Sequence, residues 1–240
     1  MTLKEWILAH PFLEGVARFR AHIETVVKTV AVPSLCFPDW DDYRTDFAAG
    51  VPLLASAAVA IDLSPVDAIV PQVVDALRRS DVTRESDGLH YYIRWIVLAS
   101  ALRPIVRAFD DWREDEAWLR PHCPTCGSLP AMAQLVGTDP GRRRLLTCGH
   151  CSTQWRYGRT TCPFCEKQSH RLNGLALEGQ GGLRIDYCES CRGYLKTYDG
   201  HGNEEVMLAD WTSLHLDALA HDRGLLRRGA SLYELEAQTT

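Results

Sequence analysis

Four Cys-x-x-Cys pairs constrain this chain more than any other feature: Cys123-Pro-Thr-Cys126, Cys148-Gly-His-Cys151, Cys162-Pro-Phe-Cys165 and Cys188-Glu-Ser-Cys191, separated by 21, 10 and 22 residues. Eight of the nine cysteines are used in them. A Cys-x-x-Cys turn aims two thiolates at one point, and two such turns about 20 residues apart supply the tetrahedral sulfur cage that zinc or iron prefers. Disulfides suit small secreted domains, but Met1-Thr-Leu-Lys-Glu-Trp6 does not open a signal-peptide pattern, so the pairs are read as metal ligands.

The spacing assigns the ligands. The gaps of 21 and 22 residues each hold a hairpin that folds back, whereas the gap of 10 suits a crossover. One site is therefore expected from Cys123, Cys126, Cys148 and Cys151, and the other from Cys162, Cys165, Cys188 and Cys191. Crossed pairing, first with third and second with fourth, is the alternative. A shift from 123 to 162 superposes Cys123-Pro-Thr-Cys126 on Cys162-Pro-Phe-Cys165, so the module reads as a duplicated ribbon. Strands are expected over 131–136, 144–146, 153–157, 172–177, 183–187 and 194–198, with glycines at the turns. Strands this short are expected to bury little core alone, leaving the metals to hold the module together.

Upstream, the pattern is helical. Phe12, Val16, Phe19, Ile23, Val26 and Val30 form an apolar stripe over 11–32. Residues 31–42, with Pro33 and Pro38, read as a loop; its Cys36, the unpaired cysteine, reads as a small buried apolar residue. Gly50 to Ile61 reads as a second helix, and Ser64-Pro65-Val66-Asp67 starts a third with an apolar face of Ile69, Val70, Val73, Val74 and Leu77. Leu89 to Trp112 is apolar on nearly every face, yet Arg94 and Arg103 bracket only eight uncharged residues, far short of the roughly 20 a bilayer needs. It reads as a central buried helix, kinked near Pro104. After Asp199-Gly-His-Gly-Asn203 a helix over 210–228 is expected to pack on the rest.

The expected architecture is therefore α+β. An all-α helical bundle (1–119) precedes a tandem ribbon module with two four-cysteine metal sites (120–200), and a C-terminal helical segment (201–240) follows.

Charge narrows the function. The chain carries a net charge of −5, but residues 120–199 hold 11 Lys/Arg against 6 Asp/Glu, leaving 15 against 25 elsewhere. Each divalent ion with four thiolates carries about −2, which brings the module near neutrality and argues against a nucleic-acid partner. Arg142, Arg143, Arg144, Arg156 and Arg159 are the residues a nucleic-acid ribbon would use; otherwise Arg142 to Arg144 form a solvated hairpin tip. Trp155 and Tyr157 could stack bases but are expected in the ribbon interior; His150 and His122 could each be a ligand, but His150, between two ligating cysteines, is expected in solvent. His122 precedes the first knuckle. There is no Ser/His/Asp order, phosphate-cradling glycine loop or His-Glu-x-x-His signature, and a complete set of four cysteines leaves no open coordination position, so no catalytic residue is assigned.

Cys123-Pro-Thr-Cys-Gly-Ser-Leu-Pro130, Thr153-Gln-Trp155 after the second pair, Cys162-Pro-Phe-Cys165 and Cys188-Glu-Ser-Cys-Arg-Gly-Tyr-Leu-Lys-Thr197 resemble the formate dehydrogenase accessory proteins, the FdhE family. Asp210 to Asp217, followed by Arg227-Arg-Gly229, is similar to that family's closing pattern, and Gly50-Val-Pro-Leu-Leu54 to a segment of its helical part. The chain departs from the family in a reduced N-terminal region. The resemblance implies a cytoplasmic, non-catalytic maturation factor with rubredoxin-like sites that binds the catalytic subunit of a formate dehydrogenase. It favours iron as the two metal ions, with zinc the alternative. The eight cysteines carry over as ligands. A backbone N–H such as that of Gly127 would stabilise the thiolates; Glu166 at the equivalent place in the third knuckle departs from the rubredoxin pattern. An electron carrier and a nucleic-acid-binding ribbon are the competing functions.

Overall fold

The computed structural model describes residues 8, 11, 14–30, 40–53, 64–79, 87–112, 116–138, 141–168, 172–177, 182–200 and 206–231. Cys36 and most of the expected helix from Gly50 to Ile61 lie outside them. Gly50 itself sits in a turn, at a positive φ of 85°.

Four helices precede the cysteines: α1 (Glu14–Thr29), α2 (Trp40–Ala48), α3 (Ser64–Arg79) and α4 (Asp87–Trp112). The apolar stripes anticipated for α1 and α3 meet α4 around Ile23, Val27, Val70, Val73, Leu77, Ile93 and Val97. Helix α2 was not anticipated, and its first residues replace the end of the expected loop over 31–42. Its sequence, Trp-Asp-Asp-Tyr-Arg-Thr-Asp-Phe-Ala, is mostly polar and is anchored by buried Phe47.

The all-round apolar character of α4 has a geometric cause. Ile93, Val97 and Ala101 face α1 and α3, while Leu102, Ile105 and Phe109 belong to a second core that contains the first cysteine cluster. Arg94 and Arg103 remain exposed, and Arg94 Nε donates to Asp67 Oδ1 of α3 at 2.7 Å. Among the described residues no helix is long and apolar enough to cross a membrane.

The strands are β1 (Pro130–Val136), β2 (Arg143–Cys148), β3 (Gln154–Tyr157), β4 (Asn173–Ala176), β5 (Leu183–Tyr187), β6 (Gly193–Gly200) and β7 (Leu226–Arg227). All seven join one sheet in the order β3-β2-β1-β6-β5-β4, with β7 beside β6. Each half is an antiparallel three-stranded ribbon, and the halves are joined by parallel pairing of β1 with β6, Met132 opposite Lys196 and Leu135 opposite Asp199.

This joint revises the expectation that the short strands bury little core. One face of the sheet (Ala133, Leu146, Trp155, Tyr157, Leu195) packs on Phe47, Leu102, Ile105, Phe109 and Trp118 from the helical segments. The other (Met132, Leu183, Ile185, Tyr194, Tyr198) packs on Trp211, Leu216 and Ala220. Strands β1 and β6 are consequently covered on both faces, as central strands of a layered α/β arrangement are. The single C-terminal helix expected over 210–228 is instead two helices, α5 (Val206–Thr212) and α6 (Leu214–Asp222), and then β7. The break falls at Ser213, whose backbone (φ −118°, ψ 30°) leaves the helical region and whose hydroxyl donates to the carbonyls of Ala209 and Asp210.

Candidate metal centres

Each knuckle is built the same way. The amide of the first cysteine donates to the carbonyl five residues on, and the amide four residues on donates back to the first cysteine's carbonyl. These pairs are Cys123–Ser128 and Gly127–Cys123 (2.8 and 2.9 Å), Cys148–Thr153 and Ser152–Cys148 (3.0 and 3.1 Å), Cys162–Lys167 and Glu166–Cys162 (3.1 and 3.0 Å), and Cys188–Gly193 and Arg192–Cys188 (2.9 and 2.8 Å). The residue after the second cysteine must be left-handed to close this loop. Gly127 is at φ 79°, and Ser152, Glu166 and Arg192 adopt 60°, 55° and 59° despite their side chains. Glu166 therefore does not disrupt the knuckle. It accepts a strained conformation costing on the order of 1 kcal/mol.

The knuckles gather in two sets, Cys123, Cys126, Cys148 and Cys151, and Cys162, Cys165, Cys188 and Cys191, with the sulfurs of each set within 4.8 Å of one another. This is the uncrossed pairing expected from the gaps. Four sulfurs about 2.3 Å from one centre lie about 3.8 Å apart at tetrahedral corners. The sulfur separations are 3.6 Å (Cys123–Cys151), 3.4 Å (Cys126–Cys148), 3.8 Å (Cys151–Cys126), 3.7 Å (Cys162–Cys191) and 3.8 Å (Cys165–Cys188). All eight cysteines are free of disulfides. Each set therefore fits a single tetrahedrally bound ion.

The two sets differ in their surroundings. The first is enclosed by the helical segments: Leu53 N donates to Pro124 O (2.8 Å), Trp118 Nε1 to His122 O (2.9 Å) and Trp155 Nε1 to Arg120 O (3.0 Å). Trp95 of α4 donates to Gly149 O at 2.9 Å and stacks on His150 with centroids 4.4 Å apart. His150 is thus a packing contact rather than the solvent-facing residue expected, and neither it nor His122 joins a sulfur set. Beside the second set, Leu226 N donates to Arg192 O (2.8 Å) and Arg228 Nη2 to Cys191 O (3.0 Å), while Glu189 and Ser190 of its fourth knuckle are exposed.

Thiol electrostatics follow this enclosure. Burial pushes Cys123 well above the ordinary thiol value, while hydrogen bonding from Cys123, Cys126 and Cys151 holds Cys148 well below it. In the second set burial raises Cys162 to about 12; Cys188, despite burial, is brought down to about 7 by the amides of Cys191 and Ser190. Amides also approach two sulfurs directly, Phe164 N to Cys162 Sγ and Gly193 N to Cys191 Sγ, each at 3.4 Å. Such bonds favour thiolate over thiol, the state a metal requires.

A buried ionic cluster behind the sheet escaped the sequence reading. Lys196 Nζ of β6 lies 2.6 Å from Asp210 Oδ1 and 2.6 Å from Asp217 Oδ2, and donates to Asp210 O at 2.7 Å. Arg227 reaches Asp210 and Asp217 at 2.7 and 2.9 Å, Tyr194 Oη donates to Asp217 at 2.7 Å, and Ser231 Oγ donates to Asp210. The Arg-x-Gly at 227–229 was its visible signal: Arg227 closes the cluster, and a Cβ at Gly229 would collide with the carbonyl of Pro130.

Fold and sites define an α+β protein with two tetrathiolate cages set in one sheet between helical layers. Residues 122–159, spanning the first cage, match the family model "FdhE, central domain". The chain is 38% identical to an FdhE homologue of Pseudomonas aeruginosa over 123 residues, which is 46% of this chain and 38% of that protein. It is 32% identical to one of Aquifex aeolicus over 136 residues, 54% and 48% respectively. In sequence, then, the match spans less than half the length of these relatives. The crystal structure of the FdhE protein from Pseudomonas aeruginosa shares the fold at a TM-score of 0.68 and 24% identity, over 98% of this chain and 94% of that one. Part of the chain is thus similar in sequence to FdhE proteins, and its fold is similar to that of one of them.

Proposed function

We propose that this protein is a non-catalytic accessory factor that binds the catalytic subunit of a formate dehydrogenase in the cytoplasm and supports its assembly or activation. The observation that carries the reading is the pair of complete four-cysteine cages, the first of which lies in the stretch similar to the FdhE central domain. Cys123, Cys126, Cys148 and Cys151 hold one ion and Cys162, Cys165, Cys188 and Cys191 the other, with iron preferred over zinc from the family likeness. A bound ion cross-links each pair of knuckles and, if iron, adds a one-electron couple. The first cage anchors α4 and the helical segments to the sheet; the more exposed second cage and its fourth knuckle offer the docking surface.

A second reading, a rubredoxin-like electron carrier, is favoured by the amides of Phe164 and Gly193 directed at sulfurs of the exposed cage. Such bonds raise a reduction potential by stabilising the more negative state.

A tagged pull-down from formate-grown cells, with Cys162→Ser beside wild type, tests the proposal. Enrichment of a formate dehydrogenase catalytic subunit by the wild type and its loss in the variant is the expected result. Failure of folded, metal-loaded wild type to enrich that subunit where it is expressed would overturn it.

A further inference from the structure

The five arginines singled out in the sequence converge. A cavity of about 550 Å³ at the end of the β2–β3 hairpin farthest from the second knuckle is lined by Arg142, Arg143, Arg144, Arg156 and Arg159, with Tyr157, Thr161 and Glu166. A second cavity of about 330 Å³ shares Arg144 and Arg159 with it and adds Leu135, Thr160, Leu172 and the paired Arg184 and Asp186. Arg144 is not the solvated tip residue expected: it is 2% exposed, its guanidinium lies 5.3 Å from the Tyr157 ring, and it donates to the carbonyls of Gly158 and Thr161.

Arg144 has no carboxylate within ion-pair distance among the described residues, and its buried Nε has no hydrogen-bond partner. Burial brings its pKa down to about 10, so the cation is held at a cost. Asp199 and Glu116 answer Arg142 and Arg156, and Glu166 is the one carboxylate on the wall. Five guanidinium groups against these three carboxylates leave the cavity with a positive surplus.

We propose that this cavity binds the phosphate or diphosphate group of a small molecule. The donors come from both strands of the hairpin and the turn after β3, so they approach from several directions. That arrangement suits a tetrahedral oxyanion better than a planar carboxylate. The volume admits a ligand of nucleotide size, and the adjoining cavity, with Leu135 and Leu172, receives its uncharged part. The site abuts the third knuckle through Thr161 and Glu166, so occupancy is sensed next to the second cage. This inference is independent of the formate dehydrogenase reading.

Isothermal titration of the full, metal-loaded chain with inorganic pyrophosphate, ADP, adenosine and hexaglutamate tests it. Pyrophosphate and ADP should bind at one per chain, adenosine and hexaglutamate should not, and the ratio of the first two separates free diphosphate from a nucleotide source. Arg143→Ala with Arg159→Ala, both exposed positions, should weaken pyrophosphate at least about tenfold. Arg107→Ala on α4 should leave it unchanged, and Arg143→Ala alone is used if the double variant loses metal. Absence of saturable pyrophosphate binding would show that the arginines only balance the cage charge and would overturn the proposal. So would undiminished binding in the arginine variant, or hexaglutamate binding as tightly.

Discussion

Replacing Lys196 by methionine would delete the cation that ties β6 to α5 and α6 while nearly conserving volume. Lys196 Nζ is wholly buried and holds Asp210 O (2.7 Å), Asp210 Oδ1 (2.6 Å) and Asp217 Oδ2 (2.6 Å). Three charge-assisted bonds of about 1.5–3 kcal/mol each set the gross loss. The relieved desolvation of the ammonium and the remaining Arg227, which still contacts both carboxylates, offset part of it. The variant leaves two buried carboxylates facing one cation, so the expected net cost is about 3–5 kcal/mol. Urea unfolding of the metal-loaded protein, followed by fluorescence of the tryptophans, should show a midpoint lowered accordingly. Adding Asp217→Asn restores local neutrality and should recover part of the loss. A Lys196→Met midpoint equal to wild type, or a double variant less stable by the full sum of the two single changes, would refute this electrostatic account.

Other outcomes follow from the same geometry. Trp95→Ala removes the bond to Gly149 and the stack on His150; it should cost about 3–5 kcal/mol and speed metal release from the first cage but not the second, checked by chelator competition. Glu166→Gly relieves a left-handed φ of 55° and should stabilise by about 1 kcal/mol in thermal unfolding. Despite burial, Lys196 and Arg227 hold the Asp210 carboxyl below its ordinary value. Its stabilisation is therefore complete above about pH 4 and is lost as pH falls through the lower folded value. Acid unfolding of Asp210→Asn should show a weaker dependence on pH in that window.

The parts legible in the sequence were those with local causes. Knuckle pairing followed from the length of chain a hairpin needs, and β5 (Leu183–Tyr187) from alternation between two turns. The face of α3 was readable because Ile69, Val70, Val73, Val74 and Leu77 repeat at the helical period. What escaped depends on partners distant in the chain. Parallel pairing of β1 with β6 leaves only continuous burial as a trace, and that pattern does not name the neighbour. The Trp95–His150 stack joins a helix to a knuckle, so the usual outward aim of a residue between two ligands gave the wrong expectation. Lys196, Asp210, Asp217 and Arg227 come from β6, α5, α6 and β7, and only folding shows that they neutralise one another. Arg144 likewise looked like part of a hairpin tip until the turn after β3 closed over it.

The most direct test of the central claim is metal content with X-ray absorption at the metal edge, on protein purified without added metal. Two ions per chain, each with four sulfur neighbours at about 2.3 Å, are predicted, with one ion lost in Cys123→Ser and the other retained. One ion or none in folded wild type, or nitrogen and oxygen neighbours at either site, would contradict the two-cage account.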